Sequence, residues 1–261
     1  MNMQVLLSTM NQRNYNLLNE MKISSDTIVV NQTNGNQIDE FDYQGNYIKW
    51  INVTGKGLSK SRNIALYNSF SEICLLADDD LEYVDNYSEL IKIQFESHAE
   101  ADVLVFQVEG IEKKFKKYSS NSKNINFFNS MKVSSVEIAF KRKSIIEKNI
   151  TFNELFGAGA IYSMGEENIF LIECLKKGLK IKYVPIKIAD LHIENSSWFE
   201  GFNKDYFISR GASFAAMGKK ISVLLVIQFA IRKRSKFNKH MNLFNSIKYM
   251  LRGRREYFKN F

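Results

Sequence analysis

Asp78-Asp79-Asp80 stands directly after the apolar run Ile73-Cys74-Leu75-Leu76-Ala77. Three adjacent carboxylates repel one another, which costs stability unless a cation or solvent compensates them. A hard divalent ion such as Mg²⁺ is the natural compensation. It takes few protein carboxylates and fills its remaining positions with water and phosphate oxygens, so such a site commonly serves a nucleoside diphosphate or triphosphate. An arbitrary acidic triplet reads as a solvated turn, but one aimed by a buried strand at the carboxyl edge of a sheet reads as a ligand site. A second cluster, Gly55-Lys56-Gly57-Leu58-Ser59-Lys60-Ser61-Arg62-Asn63, joins a predicted strand to a predicted helix. Its glycines allow close backbone approach, and Lys56, Lys60 and Arg62 can offset diphosphate charge; a helix cap with exposed basic residues accounts for it equally. The segment matches neither the phosphate-loop pattern nor GxGxxG.

These residues need elements to position them, and the apolar spacing supplies a pattern. Short apolar runs at 4–8, 27–30, 47–53 and 73–77 read as strands. Helical spacing at 14–21 and 59–69 falls between them, giving two strand-helix-strand crossovers. This alternation predicts an α/β fold with a mainly parallel, Rossmann-like sheet whose ligands lie beyond the carboxyl ends of its strands. Further along, 103–106 and 136–140 read as strands around a Lys-, Asn- and Ser-rich stretch at 113–132. A helix is predicted over 166–177, stopped by Gly178, and two strands at 180–184 and 186–188 are separated by Pro185, the only proline. No repeat or linker divides residues 1–218.

The ordered set Leu6-Leu7-Ser8-Thr9-Met10-Asn11, Gly57-Leu58-Ser59 to Arg62-Asn63, Leu75 to Asp80, Gly157-Ala158-Gly159-Ala160 and Gly165-Glu166-Glu167-Asn168 resembles glycosyltransferase family 2. These are nucleotide-sugar-dependent, inverting enzymes of the GT-A fold, and the likeness runs from residue 4 to about residue 200. The resemblance implies that the acidic motif holds ribose and a Mg²⁺ or Mn²⁺ ion bridging the donor phosphates. The triplet permits two registers. In one, Ala77 replaces the family's first acid and Asp79 meets the metal; in the other, Asp78 and Asp80 frame the site. The metal would act as a Lewis acid on the leaving diphosphate. The resemblance also implies an acceptor-activating base at Glu167, where the family commonly has Asp, with Glu166 beside it on the acceptor side. A helix start favours the ionised form of either acid. Gly159 belongs to a small-residue stretch that leaves room for an acceptor sugar or simply forms a tight turn. Trp198 stacks on a sugar or packs the core. His192 matches a late metal- or diphosphate-contacting His, and Arg62 and Asp78 fall to the donor. Thr9 lines the base pocket by the same likeness, and Asn31-Gln32 replace the paired acids that read the base in many members. UDP is the default nucleotide.

Composition bounds the remaining function classes. Apolar residues make up 45% and charged residues 25% of the 261 positions, which fits a folded, soluble-type chain. Cys74 and Cys174 sit far apart in apolar segments, so no disulfide framework or CxxC metal knuckle is expected. The N-terminus shows no basic leader before a long apolar stretch, and a cytoplasmic location is expected. The net charge is +8, yet residues 219–261 carry twelve Lys and Arg against the single acid Glu256, which leaves residues 1–218 mildly acidic. That distribution argues against a nucleic-acid groove. It divides the chain into a catalytic domain, 1–218, and a basic helical extension, 219–261. Within the extension, 221–231 is too short to span a bilayer. Leu243, Phe244, Ile247, Met250 and Leu251 mark one face of a second helix. An apolar stripe beside cations suits peripheral contact with the inner face of the cell membrane, where lipid-linked glycan acceptors reside; docking on the body or on a second subunit is the alternative. The expected function is transfer of a sugar to a hydroxyl of a surface polysaccharide acceptor. A nucleotidyltransferase and a non-catalytic nucleotide-sugar-binding module are the competing readings.

Overall fold

The computed structural model describes residues 1–193 and 201–261. The chain begins with β1 (Met3–Met10), α1 (Leu17–Glu20), β2 (Asp26–Thr33), β3 (Gln37–Tyr43) and β4 (Asn46–Thr54). Next come α2 (Leu58–Asn68), β5 (Ile73–Asp78), β6 (Leu81–Tyr83), α3 (Tyr87–Ser97) and β7 (Val103–Gly110). They are followed by β8 (Lys123–Asn124), α4 (Phe127–Ser130), a 3-10 turn at Ser135–Glu137, β9 (Ile138–Lys141), α5 (Arg142–Glu147), α6 (Glu166–Lys176) and β10 (Ile181–Leu191). Three helices close the chain: α7 (Lys204–Met217), α8 (Ser222–Phe237) and α9 (Leu243–Asn260).

The strands form one mixed sheet in the order β3-β4-β2-β1-β5-β9-β7-β10-β6, with β8 beside β10. Strands β4, β2, β1 and β5 are parallel neighbours, as are β7 and β10, while β9 enters antiparallel between β5 and β7. Alternate residues of the central strands feed opposite layers, as a two-residue period requires. Val5, Leu7, Val29 and Leu75 pack with Leu17 of α1 and Ile91 of α3. Leu6, Ile28, Val30 and Leu76 pack with Leu66 of α2 and Phe170 of α6. Continuous apolar runs such as Val5-Leu6-Leu7 exist because both faces of the sheet are covered.

Beyond β6, β8, α3, α4, α5 and α7, for which the sequence pattern supplied no element, several details differ from the pattern read along the chain. The helix predicted over 14–21 is reduced to the single turn α1. Strand β3 was not anticipated; it pairs antiparallel with β4 across a turn in which Gln44 and Gly45 both have positive φ. The charged, exposed positions of an edge strand hide its apolar alternation. The segment 136–140 starts as a 3-10 turn before becoming β9. Pro185 does not separate two strands: β10 is continuous and shifts register between Tyr183 and Lys187, a bulge that accommodates a residue without an N–H.

The basic extension is docked. Helices α8 and α9 share a third core with α7 and with Phe156, Tyr162, Ile169 and Ile172 of the body, closed by the fully buried Met250 and Phe237. The crossing of α7 and α9 depends on two glycines. A Cβ on Gly211 would sit 1.9 Å from the Met250 carbonyl oxygen, and one on Gly253 would sit 1.9 Å from that of Ile208. No larger residue permits this approach of backbones. Of the apolar face read on α9, Met250 is buried and Phe244 is exposed. On α8 the apolar run divides: Leu225, Val226, Phe229 and Ala230 face inward, whereas Val223, Leu224, Ile227 and Ile231 are exposed. No helix among the described residues is long and apolar enough to cross a membrane.

Candidate functional site

The register of the parallel strands gathers the candidate residues along one edge. Ser8 is level with Asp78, Thr9 with Asn31, and Met10 with Gln32. Each stands at the carboxyl end of its strand, where the chain turns away and side chains face the crevice. Asp78 is the last residue of β5; Asp79 and Asp80 form the turn into β6.

The three aspartates have different partners. Asp78 is buried, accepts two hydrogen bonds from Arg62 Nη2 at 2.8 and 3.2 Å, and accepts one from Ser135 Oγ at 3.2 Å. Exposed Asp79 accepts from Thr9 Oγ1 at 2.5 Å, and Gln12 Nε2 in turn donates to that hydroxyl at 3.1 Å. Asp80 Oδ1 is buried without a hydrogen-bond partner among the described residues. Burial, with the charges of Asp78 and Asp79, pushes the Asp80 carboxyl up to about 7. An orphaned oxygen beside two further carboxylates, of which only Asp78 has a cation, fits a divalent cation, whose remaining ligands would be water and phosphate. No three His, Cys, Asp or Glu side chains among the described residues converge as a metal cage. The expected set Asp79, Asp80 and His192 is therefore not gathered around one point. The His192 backbone N–H does donate to the Asp80 carbonyl at 2.9 Å, because β10 pairs with β6, but its Nδ1 lies 3.0 Å from Glu112 Oε1.

Arg62 occupies a different place from the one expected of a phosphate-facing cation. It is fully buried in α2; Nη1 donates to Glu166 Oε1 at 3.0 Å while Nη2 engages Asp78. The guanidinium also lies over the Phe152 ring, 5.7 Å from its centroid. Its planar fork suits two carboxylates at once, a geometry lysine cannot supply. Arg62 thus ties the carboxyl end of β5 to the first turn of α6. Glu166 is spent on that tie, whereas Glu167 keeps partial exposure, as expected of neighbours about 100° apart on a helix. Burial and the adjacent Glu166 raise the Glu167 carboxyl above its usual range, and Arg62 and Arg210 partly offset the rise.

The remaining candidates support loops. Asn31 is buried, accepting from the Gln12 N–H at 3.0 Å and donating to the Gln12 carbonyl at 2.9 Å and Asn52 Oδ1 at 2.8 Å. Gln32 Oε1 accepts from the Gly57 N–H at 2.7 Å. The glycine loop also meets the Gly157–Ala160 turn, where Leu58 N–H donates to the Ala158 carbonyl at 2.9 Å. Gly159 has φ +77°, and a Cβ there would lie only 3.2 Å from Gly57 N, so its smallness serves this approach of loops. Gly165 has φ +97°, and a Cβ there would meet Ser213 Oγ at 2.2 Å, which seats the start of α6 against α7. Trp198 lies outside the described residues.

The structure is similar to that of S. aureus TarS residues 1–349. The TM-score is 0.65 at 14% identity, covering 97% of this chain and 81% of that one. Against the same protein in complex with UDP-GlcNAc the TM-score is 0.66 at 14% identity, covering 99% and 81%. In complex with UDP it is 0.64 at 15% identity, covering 97% and 81%. The fold is GT-A-like. No protein-family model matches the chain, and no curated protein matches it by sequence. Within this GT-A-like sheet, sequence reasoning missed Ser135, Gln12 and Arg210. The first two carry no local signal because each acts through a turn. Arg210 is a cation in an otherwise small and apolar run, Ile208 to Met217, and that placement could have singled it out.

Proposed function

We propose that the protein is a glycosyltransferase that moves a sugar from a nucleotide diphosphate donor to an acceptor hydroxyl by single displacement with inversion. The carrying observation is the Asp78–Arg62–Glu166 bridge, which sets an acidic strand end and the mostly buried Glu167 carboxylate at the same edge of a GT-A-like sheet. The likeness to TarS in complex with UDP-GlcNAc supports a UDP-sugar donor.

In this reading Asp79 and Asp80 would hold a Mg²⁺ or Mn²⁺ ion, which supplies charge neutralisation to the departing diphosphate. Thr9 holds the Asp79 carboxylate in place, and Arg62 holds Asp78 so that its oxygens stay ordered beside the donor. Glu167 takes the proton from the acceptor hydroxyl as that oxygen attacks the anomeric carbon. Its raised proton affinity strengthens it as a base, provided the pH is high enough to ionise it. We place the enzyme in the cytoplasm, peripheral to the inner face of the cell membrane and working on a lipid-linked glycan. The exposed Val223, Leu224, Ile227 and Ile231, flanked by Lys219, Lys220 and Arg234, support this location.

Incubation with UDP-sugars and Mn²⁺, followed by product analysis, tests the reaction. UDP release that is abolished in Glu167→Gln is expected. Pyrophosphate release from a sugar phosphate and nucleoside triphosphate would instead identify a nucleotidyltransferase.

A further inference from the structure

A cavity of about 810 Å³ opens near the start of α6, between α4 with its flanking segments and the helices α7 and α8. Asn168, the residue after Glu167, lines it, and so does Arg210, the cation that acts on Glu167. Its wall holds Lys117 and Lys132 from the segments before and after α4 and Arg232, Lys233 and Lys236 from α8, with no acidic side chain among the lining residues. A further lysine, Lys116, is already engaged by Glu137. The others make no ion pair among the described residues. Holding this many like charges around one space is unfavourable without an anion. Burial pushes the Lys233 ammonium down, and the neighbouring Lys236, Arg232 and Arg210 act in the same direction.

The cavity is not purely electrostatic. Phe128, Phe214 and Phe229 supply apolar surface, and the Arg210 guanidinium lies 5.4 Å from the Phe229 ring centroid. Arg210 Nε is buried and has no hydrogen-bond partner among the described residues. Rings beside cations fit a chain that alternates sugar faces with charged groups. A concave space lined by rings and cations together suits a chain entering it better than a flat bilayer surface.

We infer that the acceptor enters through this cavity and is a polyanionic glycan, a chain whose sugars carry phosphate or carboxylate groups. The inference rests on the transferase reading above and adds the class of acceptor. It also gives part of the basic extension a role: Arg232, Lys233 and Lys236 complete the acceptor side, while the apolar stripe of α8 faces away from the inward packing residues.

The test is titration of the full chain, with UDP and Mn²⁺ occupying the donor side, by three oligosaccharides of equal length: tetragalacturonate, phosphorylated maltotetraose and neutral maltotetraose. At least one anionic oligomer is expected to bind about tenfold or more tightly than maltotetraose, and Arg232→Ala/Lys236→Ala is expected to weaken it by about tenfold. Which oligomer binds identifies the anionic group. Both substituted residues are exposed, so the variant keeps its core, and circular dichroism verifies this. The inference is overturned if the anionic oligomers bind no better than the neutral one, or if the double variant binds them unchanged. It is likewise overturned if these residues bind phosphatidylglycerol vesicles or duplex DNA while the oligomers do not bind. UDP binding is measured separately: its absence refutes the donor reading, and the oligomer titration, repeated without nucleotide, still decides the cavity.

Discussion

Replacing Arg62 with Met tests the bridge between the two acidic motifs. The side chain is 1% exposed, and its partners Asp78 and Glu166 are 10% and 9% exposed, so their charges have almost no access to water. Methionine fills much of the volume but leaves two buried carboxylates without their cation. Breaking a buried pair by removing one partner costs about 3–5 kcal/mol, most of it from the charge left behind. For a chain of this size, a loss of that order lowers the melting temperature by roughly 6–20 °C. The penalty should depend on pH. A carboxyl with raised proton affinity in the folded state binds protons that the unfolded chain releases, so its unfavourable contribution grows as pH rises above the ordinary carboxylate range. Urea unfolding followed by circular dichroism at pH 5 and pH 8 should therefore show a larger deficit at pH 8. Arg62→Lys should fall between the two, because one ammonium cannot span both acids as the guanidinium fork does. A deficit below about 1 kcal/mol, or one identical at both pH values, would show that Arg62 does not hold the acids together electrostatically.

Three further outcomes follow from the same geometry. In chelator-treated protein, Asp80→Asn should be more stable than the native chain at pH 8, because the raised Asp80 carboxyl costs folding free energy once ionised; the gain should vanish below about pH 4, and calorimetry across that range checks it. Transfer by the native enzyme should rise with pH beyond the usual carboxylate range as Glu167 loses its proton, and Glu167→Gln should show no transfer anywhere in that pH range. Gly211→Ala should detach α9 from α7, because its methyl would overlap the Met250 backbone, and limited proteolysis should then release the C-terminal helices before the sheet is cut.

Much of the architecture was legible along the chain because buried parallel strands leave a strong local mark. Runs such as Val5-Leu6-Leu7 and Ile73 to Ala77 are apolar at every position, which requires cover on both faces, and the helices between them have their own period. The register of those runs then places Thr9, Asn31, Gln32 and Asp78 at one edge. Strand β3 escaped because an exposed edge strand has weak alternation, and β10 seemed broken because Pro185 carries the signature of a turn even when a bulge absorbs it.

The amino-acid order alone determined the alternating elements, the position of the acidic triplet at a strand end and the separation of charge between body and extension, since all three depend on residues within a few positions of one another. Tertiary structure decided the rest. Arg62 meets Asp78 16 residues away and Glu166 104 residues away, and Lys117 and Arg232 reach one cavity from different parts of the chain. Pairing of this kind depends on how helices pack across the sheet, and close packing at Gly211 and Gly253 sets those positions. Periodicity reports which face of an element is buried, not which distant side chain it meets there.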